Sequence, residues 1–327
     1  MTDHSEKTEV DVSDILNAAG IACKGIIIEQ EPGMYPHKKR ISDNWSYFTA
    51  ATFRHLYAEH NASPSSVAIV GIGNGIEGSA AVRAFPSSLK TLYISDVDEG
   101  VVAGASRNIR RNLPKRSRVK IEPFIGSFCE PLVERGVRAD IVFANIPNLP
   151  AAQGADLSGG AEKGTFLRPE LYEGYHPPQK YIKWALGAQY AYLMSAKDAL
   201  TERGSVFTEV GGRVPLALLS ELFEETGYRA EEVLVGFKEQ TEPLIDFLGY
   251  RAFEEEYGVA FDFYKYEPAL ATLEEFGKGN IIQESGEVCK TALERHRVTA
   301  GEAVQLFHRQ VAVGHTVHII KGTKRKL

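Results

Sequence analysis

The sequence predicts an α/β fold: a mainly parallel β-sheet covered by helices on both faces, with an antiparallel hairpin at one edge. Three observations predict it. From Val67 to Val210 short apolar runs alternate with helix-like stretches, the order a parallel sheet needs because its strands are joined by crossover helices. A glycine-rich turn, Gly71-Ile72-Gly73-Asn74-Gly75, separates the first such run from the first helix. Two late apolar runs, 229–237 and 259–266, have no helix pattern as strong as the earlier ones between them, which suits antiparallel neighbours.

Taken in order, residues 1–10 are polar and read as disordered. Residues 11–19 read as a short helix stopped by Gly20. Residues 25–30, with three consecutive isoleucines, read as a strand and 31–36 as loop. Trp45, Phe48, Phe53 and Leu56 at helical spacing predict a helix over 43–60, capped by Asp43 or Ser42. Trp45, Tyr47 and Phe48 read more readily as core than as a substrate box. The alternation then gives strand 67–70, helix 76–85, strand 89–95, helix 99–112 ended by Pro114, and strands 118–123 and 140–144. A long helix over 179–202 follows, then strand 205–210, helix 216–226 closed by Gly227, and the two closing strands. Beyond 266 come a helix-like stretch at 287–296, an apolar run at 317–320 and a basic end, 321–327, that reads as solvated.

The chain has 327 residues, about two domains or one large domain with additions. The elements divide it into an N-terminal extension, 1–60, partly helical and a candidate cover for a site; a core domain, 61–266, with an insert at 151–180; and a C-terminal extension, 267–327.

Composition excludes several classes. The net charge of −6 argues against a protein that grips nucleic acid over its whole surface. No apolar run approaches the ~18 residues that span a membrane, and the polar N-terminus lacks a signal peptide's apolar core. Cys23, Cys129 and Cys289 are far apart and form neither a disulfide framework nor a metal knuckle. A reduced, cytoplasmic protein is expected. His315 and His318 lack further ligands nearby in sequence, so no metal is expected. Association into a homo-oligomer stays open.

The glycine turn lets the backbone bend sharply and approach a ligand closely. Asp96, about 20 residues beyond it at the tip of the next strand, can accept hydrogen bonds from ribose hydroxyls. Asp98 suits the N-cap of the following helix better. The spacing Gly71-x-Gly73-x-Gly75 is that of methyltransferases, whereas Gly73-x-Gly75-x-x-Gly78 matches the dinucleotide fingerprint. S-adenosylmethionine and NAD both stay open at this point.

The fourth strand, 139–144, runs into Asn145-Ile146-Pro147-Asn148. Proline cannot extend the ladder, so the asparagine amide stands at the strand tip with a donor and an acceptor. This resembles the Asn-Pro-Pro-Tyr motif of amino-methyltransferases. Gly126-Ser127-Phe128-Cys129-Glu130-Pro131-Leu132, Ser106-Arg107-Asn108 and Glu209-Val210-Gly211-Gly212 resemble further segments of the HemK-type glutamine N-methyltransferases, in the same order. The resemblance covers 67–265 and implies a Rossmann-like, seven-stranded class I methyltransferase sheet that binds S-adenosyl-L-methionine. It places Gly71, Gly73, Gly75, Asp96, Val97, Ser127, Phe128 and Asn145 at the cofactor, with Asn145 also orienting the acceptor. The departures are equally specific. Ile69 stands where the first strand normally carries an acid, Ser127 where an Asp meets adenine, Ile146 for the first proline, and Asn148 for the aromatic residue.

The insert holds Tyr172, Glu173, Tyr175 and His176. Long loops at the carboxyl end of a sheet often form substrate walls. Pro147, Asn148, Tyr172 and Tyr175 are therefore candidate substrate contacts, and Glu173 and His176 candidate acid–base groups. His176 also reads as a plain surface histidine before Pro177. The expected function is an S-adenosylmethionine-dependent methyltransferase acting on a small-molecule acceptor. Methylation falls on nitrogen by default, with the carbon or oxygen of an amino or 2-oxo acid as the other targets. The alternatives are a protein glutamine N-methyltransferase, an NAD(P)-dependent enzyme, or an inactive binding module suggested by Ile69.

Overall fold

The protein is described by a computed structural model over residues 8–31 and 33–325. Two compact units share the chain. The first is built from Met1–Ile146, Gln153–Gly164 and Met194–Phe207, the second from Pro147–Ala152, Thr165–Leu193 and Thr208–Leu327. No described helix is long and apolar enough to cross a membrane.

In the first unit β1 (Thr8–Asp11) pairs antiparallel with β2 (Ile27–Gln30) around α1 (Ser13–Ala18). Residues 8–10 are therefore strand where the sequence predicts disorder; residues 1–7 lie outside the described residues. Two asparagine amides serve β2 as a further strand would. Asn108 bonds the N–H and C=O of Glu29 at 2.8 and 3.0 Å, and Asn112 those of Ile27 at 3.0 and 2.7 Å. This satisfies backbone groups that burial would otherwise leave costly. α2 (Trp45–Glu59) buries Tyr47, Phe48, Phe53 and Leu56, the core reading of that face. Its N-cap is Asn44, not Asp43 or Ser42. The Asn44 amide is spent on the preceding loop, accepting from Lys38 N and donating to the carbonyls of Lys38 and Arg40.

The expected alternation follows: β3 (Ser66–Val70), α3 (Ile76–Ala84), β4 (Thr91–Asp96), α4 (Glu99–Arg111), β5 (Lys120–Ile125), α5 (Glu130–Glu134) and β6 (Ala139–Ala144). These strands are parallel in the order β6-β3-β4-β5, Val67 facing Leu92 on one side and Ile141 on the other. Every residue of β3 is buried, as a strand with both faces covered must be. Asp98 caps α4 by accepting from Gly100 N and Val101 N at 2.8 and 3.2 Å. α6 (Gly160–Thr165) lies in the insert.

The second unit opens with two short parallel strands, β7 (Leu149–Pro150) just before the insert and β8 (Phe166–Leu167) within it. The long helix predicted over 179–202 is broken into α7 (Gln179–Ile182) and α8 (Gly187–Ala199). Between them Ala185 takes a left-handed backbone (φ 55°), and Leu186 N closes the turn on Tyr181 O at 2.8 Å. β9 (Leu200–Gly211) begins where that helix was expected to end, and its last residues belong to this unit. α9 (Leu216–Glu225) is closed by Gly227 (φ 86°) and leads to β10 (Tyr228–Glu239).

The antiparallel pair is present, but its partner differs from the one expected. The link after β10 holds α10 (Pro243–Tyr257), and only β11 (Phe263–Lys265) of the expected second strand forms. β10 instead pairs along its length with the last strand of the chain, Tyr228 facing Lys324 and Glu239 facing Gly314. Before that strand come α11 (Tyr266–Leu273), the ribbon β12 (Gly277–Lys278) and β13 (Ile281–Ile282), α12 (Gly286–Leu293), β14 (Arg297–Val298) and α13 (Ala300–His308); the strand itself is β15 (Val313–Lys324). The last strand lies between the two expected neighbours, its Gly314 facing both Glu239 of β10 and Tyr264 of β11, while Val235 and Phe237 of β10 are buried with Tyr266, Leu273, Ile282, Cys289 and Leu293. Much of the basic end expected to be solvated, 321–324, is thus strand; residues 326–327 lie outside the described residues.

Candidate functional site

Gly71, Gly73 and Gly75 all have positive φ, 72°, 56° and 88°. The turn is tied to the end of β4, since Gly71 N and Ile72 N both donate to Ser95 O at 2.9 and 3.0 Å. The glycines serve different needs. A Cβ on Gly75 would meet Ala105 O at 3.0 Å, and one on Gly71 would meet Ile146 Cγ2 at 3.3 Å and Asn145 O at 3.5 Å. A Cβ on Gly73 would meet nothing within 4 Å, so this part of the turn faces open space.

Asp96 ends β4 and accepts from the backbone N–H groups of Asp98, at 3.2 Å, and of Gly73. Burial pushes its carboxyl above the usual aspartate range, and these hydrogen bonds only partly offset that. Gly126 N donates to Asp96 O at 3.0 Å. One strand tip therefore gathers Gly71, Gly73, Asp96 and the start of the Ser127–Phe128 loop. Phe128 is buried with φ 47°, an unusual backbone for a side chain of that size. Val97 is half exposed. Lys163 of the insert forms an ion pair with Asp98, and with the cap bonds it holds that carboxyl below its usual range. Ile69 is buried in β3, so this strand offers no acid. Asn145 is partly exposed just past β6, its carbonyl beside Gly71.

The second unit contains a cavity of about 480 Å³ whose wall includes Asn148, Tyr172, Glu173, His176, Phe253 and Tyr257. Four of the residues singled out from sequence meet there; Pro147 and Tyr175 are not part of the wall. Burial pushes the Tyr172 hydroxyl up to about 12, so it remains a donor at neutral pH. Glu173 and His176 are exposed, and His176 ends a short 3-10 turn with φ 50°.

Sequence reasoning missed the polar groups behind Asn148. Gln189 Nε2 donates to Asn148 Oδ1 at 3.0 Å, and Thr208 Oγ1 donates to Gln189 Oε1 at 2.6 Å. Arg213 donates to Tyr250 Oη at 3.2 Å, to Gln240 Oε1 at 2.7 Å and to His315 Nε2 at 2.8 Å. Phe253 and Tyr257, on α10, were missed because that helix was not recognised. Nothing in the local sequence of Gln189 or Arg213 marks either one; their partners lie 37 residues or more away, except Thr208 at 19 and Gln240 at 27. His315 and His318 are both buried on β15. His315 accepts from Arg213 and its other ring nitrogen meets Thr316 O at 2.8 Å. Burial, then the nearby charges of Arg213 and Lys238, hold it neutral, well below the ordinary histidine value. His318 bonds Glu232 Oε1 at 2.7 Å. Among the described residues no group of three or more His, Cys, Asp or Glu is arranged to hold a metal ion.

No family model matches the chain. No curated protein matches it either. Solved structures do. A ribosomal protein L11 methylase from Lactobacillus delbrueckii subsp. bulgaricus is similar at 15% identity and a TM-score of 0.38, over 62% of this chain and 75% of that one. A SAM-dependent methyltransferase from Agrobacterium tumefaciens is similar at 12% identity and a TM-score of 0.41, over 65% of this chain and 61% of that one. A precorrin-6y C5,15-methyltransferase from Geobacter metallireducens is similar at 11% identity and a TM-score of 0.39, over 90% of this chain and 100% of that one.

Proposed function

We propose that this chain is an S-adenosylmethionine-dependent methyltransferase acting on a small polar acceptor, by default at nitrogen. The observation that carries the reading is the junction of Asp96 with the glycine turn, where Gly73 N–H donates to the Asp96 carboxylate. The open space before Gly73 and the crowding at Gly71 make a cradle that a side chain on the turn would narrow. Such a cradle with an acid beside it fits the ribose and backbone of a nucleoside-type cofactor. S-adenosylmethionine supplies a methyl group already activated on a sulfonium sulfur when bound.

The protein's own task is then positioning and exclusion of water. Asp96 accepts from ribose hydroxyls, and Gly71 to Gly75 let the main chain come close. Val97, Ser127 and Phe128 line the base. Asn145, at the tip of β6, accepts from and donates to the acceptor group and so holds its lone pair in one direction. In the second unit Asn148 and the protonated Tyr172 are the candidate contacts to a polar acceptor, with Glu173 and His176 as candidate acid–base groups in the same cavity wall.

Calorimetry with S-adenosylhomocysteine and with NAD on the full chain tests this. Saturable binding of S-adenosylhomocysteine with a raised melting temperature is expected. Binding of NAD alone would replace the reading with that of a dinucleotide enzyme.

A further inference from the structure

We propose that Asn148 is the specificity-determining residue of the second-unit cavity, reading a ligand edge that donates one hydrogen bond beside accepting another, and that Arg213 is its positioning residue, acting through Tyr250. The proposal rests on the acceptor role given to that cavity above.

An asparagine amide carries two N–H donors and two lone pairs on its oxygen, and a free amide can flip between them. Here both amide ends of Asn148 meet buried partners in one continuous chain. Thr208 Oγ1 donates to Gln189 Oε1, so the Gln189 oxygen is taken and its nitrogen faces Asn148. Gln189 Nε2 donates to Asn148 Oδ1, which leaves the Asn148 nitrogen to meet the Tyr250 hydroxyl. Arg213 donates to that same hydroxyl and lies over the Tyr250 ring, 4.9 Å from its centre. Gln240 and His315 hold the Arg213 guanidinium from the other side.

The supporting groups are all out of water: Gln189 and Thr208 are 1% exposed, Tyr250 4% and Arg213 5%. Hydrogen bonds among buried groups are hard to trade for water, so the amide is held rigidly. Asn148 itself is only partly buried and stands in the cavity wall. With one lone pair and one N–H already engaged, it offers one acceptor and one donor side by side. The matching ligand edge is a donor next to an acceptor in one plane, as in a lactam or a heteroaromatic N–H beside a carbonyl. The flanking Tyr172, Phe253 and Tyr257 suit such a flat group.

The test compares 2-pyridone, which has that edge, with N-methyl-2-pyridone, which has lost the donor, by NMR titration of the full chain without cofactor. The expected result is about tenfold tighter binding of 2-pyridone. Asn148→Leu should bring the ratio to about one, and Tyr250→Phe should shrink it while N-methyl-2-pyridone binding is kept. Arg213→Lys removes bonds from a buried cation and risks unfolding, so Gln189→Met provides the second, independent arm and should also shrink the ratio. A ratio near one in the unaltered chain, or one that survives Asn148→Leu, overturns the proposal. If S-adenosylhomocysteine fails to bind while the ratio behaves as expected, the methyltransferase reading falls and the role of Asn148 stands.

Discussion

Ser46 Oγ donates to Glu77 Oε1 at 2.7 Å, joining α2 to the first turn of α3 directly after the glycine turn. Burial raises the Glu77 carboxyl above its usual range, and the Ser46 hydroxyl pulls it back. Position also helps, because a helix N-terminus favours a negative charge. The N-terminal segment is therefore built into the first unit, which buries Ile15, Leu16, Ile28 and Phe48 completely. Deleting residues 1–48 would strip that core, so a point substitution is the informative change.

Ser46→Ala should destabilise the chain by about 1–3 kcal/mol, the usual consequence of leaving a buried polar group short of a partner. Urea denaturation at neutral pH measures it. The Glu77 carboxyl should also titrate higher in the variant. A variant as stable as the parent, with Glu77 titrating unchanged, would mean the bond is not formed in solution.

Asp96→Ala should weaken S-adenosylhomocysteine binding by about 1–3 kcal/mol, through loss of charge-assisted hydrogen bonds to ribose. The glycine turn would at the same time lose the acceptor for Gly73 N–H. Calorimetry should show the loss in affinity, and unchanged affinity would remove Asp96 from the cofactor site.

Gly71→Ala and Asn145→Ala separate the frame of the site from its chemistry. At Gly71 a side chain meets Ile146 and also a φ of 72° that favours glycine; about 1 kcal/mol or more of stability should be lost. Asn145→Ala should instead leave melting temperature and S-adenosylhomocysteine affinity nearly unchanged and lower turnover about a hundredfold, since a misplacement of about 1 Å has that effect. Near-normal turnover per folded molecule, with a lowered melting temperature, would show that Asn145 only ties the Ile146–Pro147 turn.

His315 makes the chain acid-sensitive. It is held neutral in the fold, by burial first and then by Arg213 and Lys238. Below about pH 6.5, where an unfolded chain's histidine takes up a proton, the unfolded state binds a proton that the folded state does not. Stability should then fall as pH falls, by up to about 1.4 kcal/mol per pH unit for this one group. Thermal melts from pH 7.5 to 5.5 should show a steeper decline for the parent than for His315→Gln. Parallel declines would assign the acid sensitivity elsewhere.

Several features set by near neighbours in sequence agree with the reading of that sequence. The strand–turn–helix run from Ser66 to Ala84, Asp98 as the cap of α4 and the closure of α9 by Gly227 depend on residues a few positions apart. Each is set by backbone conformation and short hydrogen bonds that the local residues carry with them. The same is true of the Asn145–Asn148 segment, where proline stops the strand and leaves the asparagine at its tip.

The partner of β10, the break at Ala185 and the company of Asn148 were settled only by the tertiary structure. The segment 259–266 and β15 are both apolar enough to lie beside β10, and a hydrophobic pattern does not say which one does. In the fold β15 takes the place between β10 and β11, pairing with β10 from Tyr228 to Glu239 and with β11 at Tyr264 and Lys265, a long-range arrangement that belongs to the whole packed core. Likewise Asn148 carries no local sign of Gln189 or Tyr250. Those bonds exist because buried amides, hydroxyls and guanidinium groups must find partners across the fold once water is excluded.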